Sequence, residues 1–333
     1  MKINKTEFLK ALEAVKPGLS NKDFIEQSTS FVFSNGFILT YNDMISVKYP
    51  FELGINGAVK ANELYQLLNK CKKEEIDIDC SDNELLIEAG RMKAGIVLEK
   101  EINLPLEEIG KIDKFKSLPG DFIQGIKFAF TTCSNDNSTP ILTCINVRDD
   151  GKIESSDNTQ ISRFQIDKIP TKTFLLPVQS AREIVKYDIV KISGGEGWIH
   201  FLTGENMQIS CRTFQDKFPE IDQFLDVKGN QIEFPIEKLQ DIMQRASIFS
   251  HSIDHDEFIT ISIENKKMKV NAKGNYGWLQ EETNIKYKDK KIEFMINPEF
   301  LKQVKTGKCI IGERSIKFIG ENWEHLVILV SNE

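Results

Sequence analysis

The chain has no CxxC pair, no cysteine at short spacing from a histidine, and only four histidines and three tryptophans among 333 residues. A zinc site built from neighbouring thiolates and imidazoles is therefore not expected. Its six cysteines (Cys71, Cys80, Cys133, Cys144, Cys211 and Cys309) could form three disulfides by number. Nothing else points to an oxidising compartment, so they read as reduced thiols. Met1-Lys-Ile-Asn-Lys-Thr-Glu7 has no apolar core of signal-peptide length. The longest apolar runs, such as Leu326–Val330, are strand-sized, well short of the roughly 20 residues of a membrane helix. A cytoplasmic protein with no membrane partner is the expectation.

Loops that serve catalysis are missing as well. There is no GxxxxGK(S/T), no GxGxxG and no GxSxG. Gly194-Gly195-Glu196-Gly197 separates two strand-like runs and reads as a hairpin turn. His251 and His255 stand four apart among Asp254, Asp256 and Glu257. That spacing gathers ligands only on a helix, and the segment reads as a loop entering a strand. No enzyme activity, cofactor or metal is expected.

What is present is a long-period repeat. Asp43 follows the strand-like Phe37–Tyr41 and Asp157 follows Lys152–Ser156, 114 residues apart. Leu104-Pro105 and Phe218-Pro219 show the same separation. A third, more diverged copy has Lys267–Asn271 followed by a turn at Ala272–Asn275. Each copy holds the same order twice: a short strand, an amphipathic helix, then three strands joined by tight turns. In the first, Thr6 is the expected N-cap of a helix through Val15 that buries Phe8, Leu9, Leu12 and Val15, and Pro17-Gly18 ends it. Strands are expected at Ser30–Ser34, Phe37–Tyr41 and Ile45–Phe51, with Asn35-Gly36 as a hairpin turn. Its second half places a helix near Asn62–Lys72 and strands at Glu75–Cys80, Glu84–Ala89 and Met92–Leu98. Further helices are expected near Asp121–Thr132, Val178–Tyr187, Ile236–Phe249 and Pro298–Lys305. The predicted architecture is α+β: six helices and about eighteen to twenty-four strands in three domains, 1–113, 118–226 and 228–333.

Two βαβββ units per domain and three domains per chain resemble the beta sliding clamp of bacterial replicases, the DNA polymerase III beta subunit. Ser156-Asp157 with Ile161, Phe218-Pro219-Glu220 and the apolar C-terminal segment carry the resemblance locally. It spans essentially the whole chain, which is shorter than typical members. The resemblance implies a non-enzymatic processivity factor, half of a six-domain ring, that encircles duplex DNA as a head-to-tail homodimer. It also implies DNA polymerase and a clamp-loader ATPase as partners, held through short peptide motifs.

Such a ring needs helices that carry positive charge. The six expected helices and their flanks hold thirteen basic and eight acidic side chains, although the chain's net charge is −7. Lysine predominates among the thirteen, a mobile point charge suited to sequence-independent phosphate contact. The expected DNA contacts are Lys10, Lys22, Lys70, Lys72, Lys73, Lys127, Arg182, Lys186, Arg245, Lys302 and Lys305. Lys22 is included because it matches a basic DNA-contacting position of the family. A solubilising role for helix lysines is the plainer alternative.

The resemblance further implies a partner-peptide pocket at Leu142, Ser156, Ile161, Pro219, Phe224, Val327, Ile328, Leu329 and Val330. Leu326–Val330 could instead be a buried final strand, one face core and the other pocket. Asp157-Asn158 is followed by Thr159-Gln160 where the family has a histidine or aromatic and then arginine, and the tail Ser331-Asn332-Glu333 is more polar. The implied dimer interface comprises Leu104, Ile248 and Phe249. A monomeric, clamp-like adaptor or decoy from a mobile element is the alternative to an encircling clamp.

Overall fold

A computed structural model of the chain describes all residues except 82, 251–256, 303 and 331–333. The paired histidines His251 and His255 and the polar tail thus lie outside the described residues. One chain order, β-α-β-β-β, recurs six times. The first unit is β1 (Lys2–Asn4), α1 (Lys5–Val15), β2 (Ser30–Ser34), β3 (Phe37–Tyr41) and β4 (Ile45–Pro50). The second is β5 (Gly57–Lys60), α2 (Ala61–Lys70), β6 (Glu75–Cys80), β7 (Glu84–Ala89) and β8 (Met92–Val97). The third is β9 (Lys116–Ser117), α3 (Phe122–Ala129), β10 (Cys144–Val147), β11 (Lys152–Ser156) and β12 (Gln160–Gln165). The fourth is β13 (Phe174–Pro177), α4 (Val178–Ile184), β14 (Ile189–Gly194), β15 (Trp198–Thr203) and β16 (Gln208–Arg212), followed by a short helix α5 (Asp222–Leu225). The fifth is β17 (Asn230–Glu233), α6 (Ile236–Ala246), β18 (Ile259–Glu264), β19 (Lys267–Gly274) and β20 (Gly277–Asn284). The sixth is β21 (Ile292–Ile296), α7 (Pro298–Lys302), β22 (Lys308–Ile311), β23 (Ser315–Ile319) and β24 (Trp323–Ile328).

The units are coupled in pairs by exchange of their first strands. β1 joins β6 while β5 joins β2, β9 joins β14 while β13 joins β10, and β17 joins β22 while β21 joins β18. A lone unit would leave a strand without its hydrogen-bonding neighbour, so each pair completes itself only as a pair.

Helix spacing explains how each sheet finds its cover. α1 buries Phe8, Ala11, Leu12 and Val15, α3 buries Phe122, Gly125, Ile126 and Ala129, and α6 buries Leu239, Ile242, Met243 and Ala246. All three follow i, i+3, i+4, i+7, one face of a helix. The first turn of α1 is closed by Asn4, whose side chain accepts from Glu7 N at 3.0 Å. Thr6, the expected cap, instead donates its hydroxyl to Glu74 at 2.6 Å, and Ala11 takes the buried place expected of Leu9.

The residues fall into two compact units. One comprises Met1–Phe130, Cys144–Gly151 and Asp167–Asp216; the other comprises Thr131–Thr143, Lys152–Ile166 and Lys217–Glu333. Within the first, β4 pairs with β16, Ser46 opposite Ser210, to give an eight-stranded sheet in the order β5-β2-β3-β4-β16-β15-β14-β9. A charged knot fastens that junction. Arg212 donates to the Asp43 carbonyl at 2.7 Å, to the Asp43 carboxylate at 2.6 Å and to Glu108 at 3.0 Å, and its guanidinium lies 4.8 Å from the Trp198 ring. Burial, with Glu108 as hydrogen-bond acceptor, pushes the adjacent Tyr41 hydroxyl up to about 12. A separate sheet of this unit runs β1-β6-β7-β8. In the second unit six consecutive strands run β11-β12-β24-β23-β22-β17, and a further sheet runs β20-β19-β18-β21.

Two readings of the repeat need correction. The backbone takes positive φ at Asp43 and Asn158, while Asn42 and Asp157 accept from the amides that follow. The matching turn positions are therefore Asn42 with Asp157, and the register expected from Asp43 and Asp157 is off by one. β19 also continues through Gly274 rather than turning after Asn271, because its ladder with β20 runs on to Gly274 opposite Gly277.

Candidate nucleic-acid and partner-binding surfaces

Eight of the eleven expected DNA contacts are exposed and have no acidic partner among the described residues: Lys10, Lys22, Lys70, Lys72, Lys73, Lys127, Arg182 and Lys305. The other three are neutralised locally. Lys186 reaches Glu183 at 2.7 Å, Lys302 reaches Glu299 at 2.5 Å, and Arg245 grips Glu281 with two bonds of 2.9 and 2.6 Å. Both lysine pairs are three residues apart, Glu299–Lys302 within α7 and Glu183–Lys186 across the C-terminal end of α4, close enough for opposite charges to meet. The cation attached to phosphate would have to leave its acid first.

The expected pocket residues divide by strand register. Residues opposite one another on paired strands share a face of the sheet. One face of the second unit's six-strand run carries the row Ser156, Ile161, Leu326, Lys317 and the row Glu154, Arg163, Glu324, Ile319. Ile328 lies farther along this face, opposite Ser315, and its amide donates to Thr159 O at 2.9 Å. Val327 points the other way and is fully buried in the core, and Leu329 is buried with it. Both were expected in the pocket. They are core because the strand alternates, leaving Ile328 and Val330 as its exposed aliphatics.

α5 is tied onto the same face. Arg163 pairs with Glu154 and with Asp222 of α5, and Lys317 donates to Leu225 O at 2.7 Å and to Glu324 at 2.9 Å. Burial disfavours the charge on the largely enclosed Arg163 guanidinium, but hydrogen bonds and charge from Asp222 and Glu154 outweigh it and raise its pKa. Phe224, between the two tethered residues, is 54% exposed, and Pro219 is exposed nearby in sequence. Leu142 is buried in a short turn (Pro140–Thr143). Leu326 and the five charged side chains of these ion pairs were missed from sequence. The period-two alternation of β24 was the signal for Leu326; the ion pairs are tertiary and leave none.

The expected interface residues separate in the same way. Leu104 is core, packed with Val32, Tyr41, Ala58, Ile109 and Trp198, so it offers no surface. Ile248 is 65% exposed, and Phe249 leans on the core of the second unit beside Gly277. Near it, Tyr276 and Trp278 are 89% and 70% exposed at the β19–β20 hairpin. β20 is the last strand of its sheet, as β8, with Val97 68% exposed, is of the β1-β6-β7-β8 sheet. These three exposed residues, Tyr276, Trp278 and Val97, were also missed, since edge status follows from pairing and not from local composition.

An open cleft of about 680 Å³ in the first unit is lined by Lys16, Leu19, Asn42, Met44, Glu183 and Lys186 among others. The buried Cys211 and Cys309 thiols are pushed up to about 12 by burial, away from thiolate chemistry. No group of metal-ligating side chains occurs among the described residues, and no helix among them is long and apolar enough to cross a membrane.

No family model matches the chain. A curated relative, the beta sliding clamp homolog GriR of Streptomyces muensis, is 26% identical over 165 residues; the match spans 44% of this chain and 44% of that protein. The solved sliding clamp of Pseudomonas aeruginosa bound to griselimycin superimposes with a TM-score of 0.86 at 16% identity, covering 99% of both chains. The DNA polymerase sliding clamp of Bacillus subtilis gives 0.84 at 15% identity, covering 100% of this chain and 99% of the other. From end to end, the six exchanged βαβββ units adopt the mixed α+β fold of bacterial DNA polymerase III beta sliding clamps.

Proposed function

We propose that the protein is a DNA sliding clamp that closes around duplex DNA as a head-to-tail homodimer and tethers polymerase and other DNA-working proteins. The observation that carries this reading is the full-length clamp fold with two edge strands that each expose one large apolar side chain, Val97 on β8 in one half of the chain and Trp278 on β20 in the other. A free edge bearing Trp278 or Val97 invites strand addition. Edge joined to edge in a second copy gives two identical interfaces and a closed assembly. The three modules are residues 1–113, 118–226 and 228–333. The three strand exchanges support this division, with β9 beginning two residues ahead of the second module.

In this reading the eight unneutralised cations hold the phosphate backbone by counterion release, with no base recognition. The protein has no active site, cofactor or metal of its own, and a loader ATPase opens the ring. Phe224, Ile328, Val330 and Pro219, above buried Ile161 and Leu326, receive the apolar side chains of short partner peptides. The griselimycin-bound relative supports a ligand site on this fold, and griselimycin is a direct probe for it here. The neutralised Lys186, Arg245 and Lys302 favour a second reading, an adaptor that binds partners without encircling DNA. Sedimentation separates the two: an assembly of about 76 kDa, twice the 38.1 kDa chain, supports the clamp, and a monomer at micromolar concentration supports the adaptor.

A further inference from the structure

The loop between α1 and β2 displays Phe24, 87% exposed, beside Lys22, whose ammonium lies 5.8 Å from the ring centre. This loop is anchored at its base. Buried Gln27 donates to Glu99 at 2.9 Å and to Glu101 O at 2.8 Å, and accepts from Asn103 N at 2.8 Å. Ser20 N donates to Ser28 O, closing the loop's neck, and the Asn42 side chain donates to Pro17 O and Leu19 O before it. The aromatic is therefore held out on a supported backbone rather than left on a slack tether.

The loop's acids are already occupied. Asp23 is paired with Lys60 and accepts from Thr29, which holds its carboxyl below the usual range, and Glu26 accepts from Asn103 at 2.7 Å. Lys22 is left as the unneutralised charge at the tip, its ammonium over a ring that is otherwise open to solvent. A cation next to an exposed aromatic is the pairing that single-stranded nucleic acid meets, one group for phosphate and one for the face of a base.

Resting on the clamp reading above, we infer that Phe24 stacks on an unpaired base where duplex gives way to single strand, with Lys22 on the neighbouring phosphate. Bases inside an intact duplex already stack on each other and offer the ring no face. The loop would thus distinguish a primer–template junction, a gap or a frayed end from continuous duplex, without reading sequence. This adds a structural preference to a grip that is otherwise uniform.

The test is the affinity of the full-length protein for a fluorescent primer–template with a single-stranded overhang, compared with a blunt duplex. Phe24→Ala is expected to weaken junction binding by about tenfold or more and to leave the blunt duplex unchanged, while Phe24→Trp restores junction binding. Lys22→Ala is expected to weaken both DNAs and lower the salt slope by about one. Equal behaviour of Phe24→Ala and the parent protein on the junction overturns the inference, as does an equal loss on both DNAs. Retention of the parent protein on closed circular DNA, measured alongside, reports separately on the clamp reading. Because Phe24 has almost no buried surface, its replacement leaves the fold intact.

Discussion

Trp278→Ala should separate the assembly while leaving each chain folded. The indole is 70% exposed on an edge strand, so the chain alone makes little use of it. A tryptophan buries about 150–250 Å² when covered. Covering the exposed portion would remove roughly 100–170 Å² from water, or about 2.5–4 kcal/mol at about 25 cal/mol per Å². Full dissociation of a closed two-interface dimer forfeits that term twice, roughly 5–8 kcal/mol, whereas opening one gate forfeits it once. Since each 1.4 kcal/mol is about tenfold, the dissociation constant should rise by roughly 10³–10⁶ once incomplete additivity is allowed for. Sedimentation velocity from nanomolar to high micromolar protein would show the shift, with thermal unfolding of the monomer as the control. A Trp278→Ala variant that dimerises at the same concentration as its parent would refute the assignment of β20 to the interface.

Other outcomes follow from the same geometry. Ile328→Asp places a charge on the exposed aliphatic of β24 and should weaken griselimycin or partner-peptide binding at least tenfold in calorimetry, whereas Val327→Ala should act on stability, costing about 1–3 kcal/mol through a core cavity. Lys127→Ala and Arg182→Ala, on unpaired cations, should each lower the salt slope of DNA binding by up to about 0.9, while Lys186→Ala, already matched by Glu183, should change it less. His200 is fully buried, with Nδ1 2.8 Å from Ser210 Oγ and no partner for Nε2 among the described residues; burial lowers its pKa to about 4. Its neutral form is the folded form, so its contribution is complete above the unfolded value of roughly 6.5 and is lost as pH falls from there towards 4, about 3 kcal/mol in all. His200→Leu should flatten the fall in unfolding midpoint between neutral and acidic pH; an unchanged pH profile would exclude His200 as its source.

Local signals made much of the fold legible. Asn35 and Gly36 both adopt positive φ, the turn their residue types favour, and β2, β3, β6, β7 and β11 begin and end where their flanking turns placed them. Helix ends were less legible. α6 was expected to run to Phe249, but the regular helix stops at Ala246 and a single tighter turn covers Ser247–Phe249. β24 shows where sequence reasoning divides: its alternation tells which residues share a face, but which face is core depends on α6 and the strands packed there. The expected interface residues were least legible. Leu104 was placed there by resemblance alone, with a core role left open, and it is core by contact; the exposure of Trp278 and Val97 on edge strands follows from strand pairing and leaves no local signal. Charge placement was half legible: Glu183 and Glu299 stand three residues before Lys186 and Lys302, a spacing open to reading, whereas Glu281 reaches Arg245 of α6 from strand β20 and leaves no local signal.

Enclosure is tested most directly by loading the protein onto nicked circular plasmid with a clamp-loader ATPase, removing free protein, and cutting the circle once. Protein that stays bound through high-salt washing on the circle and leaves promptly after linearisation is the predicted result. Equal release from circular and linear DNA would contradict a closed ring and leave only ordinary electrostatic attachment.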